Sequence, residues 1–161
     1  MTQALSVLAV LLVAVTMGLA LAHALEFPGK LRLDEQTYRA VQAIYYPGFT
    51  IGGLIGELGA LLLLPVLLFL QPIGGDRFWW TAAALACLAA GHAVYWLVTH
   101  PVNAVWLQDT DISGPGAAFF SIYAGREADW QHLRNLWEYS HIARAVLGMV
   151  ALTAMVIAQT A

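Results

Sequence analysis

The chain has 161 residues, 60% of them hydrophobic and only 11% charged, with a mean hydropathy of +0.71 and a net charge of −3 at pH 7. This balance lies far from that of an average soluble domain, and it offers no basic stripe of the kind nucleic acid requires. The single cysteine, Cys87, excludes an intrachain disulfide and a paired-thiol mechanism of the vitamin K reductase kind, and reads as a small buried apolar residue.

Four apolar runs, at about residues 4–25, 49–70, 78–100 and 137–158, approach the roughly 20 residues that a helix needs to cross a bilayer. An open sheet would leave unpaired backbone groups in lipid, and no period-two barrel pattern is present. The expected fold is therefore all-α: an integral membrane four-helix bundle forming one domain over residues 1–161. The first run ends in Ala22-His23-Ala24, which resembles a signal cleavage site. Its leader has no basic residue and its apolar core is too long for a signal peptide, so it is expected to stay as a span.

After span one, Phe27-Pro28-Gly29 predicts a helix stop, and Asp34 can cap a short interfacial helix to about Tyr46, with Tyr38, Val41 and Tyr45 on one stripe. Pro47-Gly48 is expected to break that helix before span two. Within span two, Gly52, Gly56 and Ala60 recur every four residues, with Gly53 and Gly59 beside them, a surface that permits close helix approach. Between spans three and four, Pro101 to about Ala128 predicts a long lid-like loop carrying Phe119, Phe120 and Tyr123; Asp129 then starts the last helix. Lys30, Arg32, Arg39, Arg126, Arg134 and Arg144 fall on one side and only Arg77 on the other. The positive-inside rule then puts both long connections in the cytoplasm and both termini outside, in the cytoplasmic membrane of a bacterium.

Ionisable groups at membrane depth are costly, and they concentrate on one side of this chain. His23 and Glu26 end span one, Glu57 lies in span two, His92 and His100 end span three, and Glu138, His141 and Arg144 begin span four. With a rise of about 1.5 Å per residue, Glu57 lies about 12 Å below Phe49 and His92 about 10 Å below Thr99, giving a funnel toward the middle of the membrane. His92, Tyr95, Trp96, Thr99 and His100 share one helical stripe, as do Arg134, Trp137, Glu138, His141 and Arg144.

Two spacings suit a metal. Glu138-x-x-His141 matches the element that di-iron carboxylate proteins place on two helices, and His23-x-x-Glu26 repeats it in reverse, with Glu57 as a bridge. A transition metal held by His23, Glu26, Glu57, Glu138 and His141 is one reading, and haem between His92 and His141 is a lesser one. A third is a polar plug without reaction, in which Glu57 pairs with Arg144 and the histidines bond to tyrosines and carbonyls.

His23-Ala-Leu-Glu26-Phe-Pro-Gly-Lys30, Val41-Gln-Ala-Ile-Tyr45-Tyr46, His92-Ala-Val-Tyr95-Trp96 with Pro101-Val-Asn103, and Trp137-Glu138-Tyr-Ser-His141-Ile-Ala-Arg144 together resemble the small four-helix membrane proteins grouped with the fungal anthrone oxygenases. The likeness covers nearly the whole chain, and its most specific part is Trp-Glu-x-x-His-x-x-Arg. It implies oxidation of a lipophilic aromatic or quinol-like molecule by dioxygen without an added cofactor. His141 or His92 would be the base, Glu138 its orienting partner and Arg144 the group that stabilises the enolate oxygen. Tyr45, Tyr95, Trp96 and Trp137 would wall the substrate. A metal-dependent membrane oxidase, and a non-enzymatic accessory subunit of a larger complex or oligomer, use the same residues differently.

Overall fold

In a computed structural model, which describes residues 2–106 and 129–161, four helices are long and apolar enough to cross a membrane. They are α1 (Thr2–Lys30), α2 (Glu35–Leu70), α3 (Asp76–Trp106) and α4 (Trp130–Thr160). Among the described residues there is no strand. Of the lid-like loop expected from Pro101 to about Ala128, the residues up to Trp106 are helical, and the rest, with Phe119, Phe120 and Tyr123, lies outside the described residues.

The helices are longer than the apolar runs, because three proline stops fail. Pro28 sits inside the last turn of α1, Pro47 inside α2, and Pro101 inside α3. A proline in a helix costs about 3 kcal/mol through a lost hydrogen bond and a clash with the carbonyl four residues back. Around Pro47 the chain is tied on both sides: the Tyr46 hydroxyl donates to Asn103 Oδ1 at 2.9 Å, and Tyr45 and Phe49 both pack on the His23 ring. No separate interfacial helix forms, and the segment from Asp34 onward becomes the first part of α2. Ahead of Pro101, a π-helical turn over Tyr95–Thr99 widens the ladder where the Leu97 carbonyl would meet the proline ring.

The caps fall where expected. Asp34 Oδ1 accepts from the Thr37 backbone N–H at 2.8 Å, and Asp129 Oδ2 accepts from that of His132 at 3.1 Å. The exposed Asp34 carboxyl is held below its ordinary value by its side-chain and backbone hydrogen bonds to Thr37. The α2–α3 turn uses Gly74 at φ +88°, a left-handed conformation that favours glycine, with Gly75 N–H returning to the Pro72 carbonyl.

α4 packs between α1 and α3, and α2 closes the ring from the other side. α2 lies along α1, but it packs closely on α3 only through Gly59–Leu70. At that end an apolar core joins all four helices through Ala9, Val13, Leu64, Leu67, Leu88 and Met155. At the other end Tyr38, Val102, Trp106, Leu133 and Trp137 form a second, aromatic cluster. The site lies between the two.

Small residues set the helix spacing. A Cβ on Gly52 would come within 2.9 Å of Leu19, and one on Gly56 within 3.0 Å of Val15 and Thr16. Gly148 lies against the Met17 backbone, where a Cβ would come within 3.0 Å of its Cα. Gly148→Leu should therefore destabilise the protein by about 1–3 kcal/mol, as overpacking does. Gly48→Leu, at a position with nothing within 4 Å, should change little. Thermal unfolding in mild detergent compares the two, and equal midpoints would contradict the packing argument.

Candidate functional site

Glu57 sits in a π-helical turn of α2, Leu54–Leu58. π-turns insert a residue into a helix and commonly occur at functional positions. Here the turn contains Gly56, which lies against α1, and aims Glu57 into the space between α2, α3 and α4. Its Oε2 meets Arg144 at 2.6 Å and its Oε1 meets His92 Nδ1 at 2.9 Å. A carboxylate can only accept, so His92 Nδ1 carries the proton. His92 Nε2 in turn accepts from the indole N–H of Trp96 at 2.8 Å. Both ring nitrogens of His92 are thus engaged, and the Arg144 guanidinium also lies 5.2 Å from the Tyr95 ring centre.

A second cation, Lys30, ends α1 and is buried, with 4% of its surface exposed. Its ammonium lies 3.0 Å from Glu26 Oε2, 3.7 Å from Glu138 Oε1 and 3.4 Å from His23 Nδ1. It also sits over the rings of Tyr45 and Trp137. Glu138 is fully buried and takes a 2.7 Å hydrogen bond from Tyr38 across the fold. This carboxylate therefore serves Lys30 and Tyr38, and does not orient His141 as expected.

His141 is oriented by its own helix. Its Nδ1 lies 2.9 Å from the Trp137 carbonyl one turn earlier. A carbonyl only accepts, so the proton sits on Nδ1 and neutral His141 carries its lone pair on Nε2. The Trp137 ring stacks on it at 3.9 Å, and the His23 ring meets it edge-on at 4.5 Å. The indole N–H of Trp137 donates to Asn103 Oδ1 at 2.8 Å, which also holds the Tyr46 hydroxyl.

These groups surround a cavity of about 490 Å³, within the about 300–1,000 Å³ usual for small-molecule sites. His92, His141, Arg144, Tyr95, Trp96, Trp137 and Tyr45 all line it, as do His23 and Glu57; Glu26 and Glu138 do not. Helix length does not bring these last two into the cavity, because Lys30 draws both carboxylates to the end of α1.

The metal reading loses its geometry on the same account. Glu57 is committed to Arg144 and His92, and Glu138 to Lys30 and Tyr38. Among the described residues no three histidine, cysteine or carboxylate side chains converge as a metal site would need. The donor set does not fit a di-iron centre, and His92, with both nitrogens engaged, does not fit as a haem ligand.

Among the cavity residues that the sequence did not single out as site groups are Gln42, Tyr46, Phe49 and Asn103. Lys30 was also missed as a site group because it reads as a topology charge. The available signal was its spacing four residues after Glu26, which places the two on one helical face.

No protein-family model, curated protein or solved structure matches this chain.

Removing one partner of a buried ion pair leaves an uncompensated charge and costs about 3–5 kcal/mol. Arg144→Met should therefore destabilise strongly, whereas the double variant Glu57→Gln/Arg144→Met should regain much of the loss. Unfolding midpoints of the single and double variants measure the coupling, and simple additivity would contradict the pairing.

Proposed function

We propose that this chain is a four-helix membrane bundle that binds a lipophilic hydroxylated aromatic molecule and oxidises it with dioxygen, as do the anthrone oxygenases it resembles. The observation that carries this reading is the His141 imidazole. Its lone-pair nitrogen is set by the Trp137 carbonyl, on the wall of a cavity panelled by Tyr45, Phe49, Tyr95, Trp96 and Trp137. A flat polycyclic substrate suits such walls.

His141 Nε2 takes a proton from the activated methylene, and the electron pair enters the ring as an enolate. The enolate transfers electrons to dioxygen and a C–O bond forms. The peroxide anion recovers the proton from His141. Loss of the second methylene proton and cleavage of the O–O bond then release water and leave a carbonyl, so that CH₂ and O₂ become C=O and H₂O. Arg144 supplies the positive field near the enolate oxygen while remaining paired with Glu57. His92 is the lesser candidate for base, since it would first have to give up the Trp96 hydrogen bond.

The cavity side is read as cytoplasmic. Lys30 and Arg144 are held by buried carboxylates and drop out of the topology argument. Arg32, Arg39, Arg126 and Arg134 against Arg77 keep the bias in the same direction.

Oxygen uptake with a hydroxylated anthrone, measured on protein purified in mild detergent, tests this reading. His141→Gln should lose about 10²–10⁴-fold in rate, the usual contribution of a positioned base. Wild-type protein that consumes no oxygen, or a His141→Gln variant of wild-type rate, would contradict it.

A further inference from the structure

The cavity is not sealed on the α2–α3 side. Those two helices pack closely through Gly59–Leu70 and Asp76–Val94; beyond that contact Glu57 meets His92 and Tyr46 donates to Asn103 across the gap. Leu54 and Leu58 line the cavity and are nonetheless 59% and 38% exposed, so they form a rim. The opposite rim is Tyr95, Trp96 and His92, and the His92 side chain is 31% exposed despite its ion pair with Glu57. Outside the rim stand Ile51, Ile55 and Leu97, all exposed and all apolar. In a membrane this mouth opens onto lipid chains.

Polarity changes from mouth to closed end. The inner wall holds His23, Gln42, Asn103 and His141, each at most 6% exposed. Gln42 is the informative member: it is buried, it lines the cavity, and neither of its side-chain polar atoms makes a hydrogen bond of good geometry. The Tyr38 hydroxyl one turn earlier is a neighbour of this carboxamide but leaves its hydrogen-bonding capacity largely unused, so the site suits a ligand that brings oxygen atoms.

We propose that the ligand is a phenol or quinone head group carrying a hydrocarbon chain, which enters sideways from the bilayer between α2 and α3. The head lies against Gln42, Asn103 and His141, and the chain remains in the gap past Gly53 and Leu54. This rests on the oxidoreductase reading for the chemistry of the head, and adds the tail and the route. A tail leaving lipid for a lipid-facing gap gains little hydrophobic energy, so the structure predicts that the tail is tolerated rather than strongly favoured.

Gly53 provides the test. It lines the cavity at the mouth and a Cβ there would meet nothing within 4 Å, so Gly53→Phe can close the gap without disturbing α1. Gly48→Phe, also in open space but away from the cavity, controls for added bulk. Tryptophan quenching in lipid nanodiscs would compare a hydroxynaphthoquinone with and without a ten-carbon chain, each expressed per membrane mole fraction.

Wild-type protein and Gly48→Phe should bind the two probes within about threefold of each other. Gly53→Phe should lose at least tenfold for the tailed probe and less than threefold for the bare head. A tailed probe that fails to bind wild-type protein, or binds Gly53→Phe unchanged, overturns the lateral route. If oxygen uptake with an anthrone persists in that case, the oxidoreductase reading stands alone. Binding of neither probe overturns the ligand class itself.

Discussion

An unpartnered charge is costly in an apolar interior, and the Glu57–Arg144 contact at 2.6 Å is the point from which the rest of the site is organised. Glu57 needs a position facing α4, and the π-turn of α2 supplies it. Its second oxygen fixes His92, and His92 fixes Trp96, so one ion pair sets one wall of the cavity. Lys30 does the same at the end of α1, gathering Glu26, Glu138 and His23. Because the carboxylates are consumed in pairing the cations, the imidazole of His141 finds its partners on its own helix, the Trp137 carbonyl at 2.9 Å and the Ser140 hydroxyl at 3.5 Å.

This division changes which residues can do chemistry. A Glu-x-x-His spacing places two groups on one helical stripe but does not say which neighbours claim them. Here Glu138 turns toward Tyr38 and Lys30 while His141 turns toward the cavity, so residues three apart serve different purposes. The buried cation on α1 decides the matter, and it is the kind of long-range partner that a local spacing does not reveal.

The helical character and the four apolar segments were legible because their length and apolar composition are read directly from the sequence. So was the gathering of His92, Tyr95, Trp96, Trp137, His141 and Arg144, since they repeat at helical spacing on faces that lipid would penalise. Helix ends were read less well. Pro28, Pro47 and Pro101 looked like stops, yet packing on both sides of Pro47 and a π-turn before Pro101 carry the helices through. Gln42, Tyr46 and Phe49 were missed for the same reason, since they became cavity wall only when the expected interfacial helix joined α2.

The account depends most directly on the protonation geometry of His141. Nitrogen-15 NMR of ring-labelled histidine in lipid bilayers, assigned with a His141→Gln spectrum, reads it without recourse to turnover. The account predicts that His141 is neutral with its proton on Nδ1, and that its Nε2 resonance shifts when a hydroxynaphthoquinone is added. A proton on Nε2, or an Nε2 resonance indifferent to the added ligand, would contradict it.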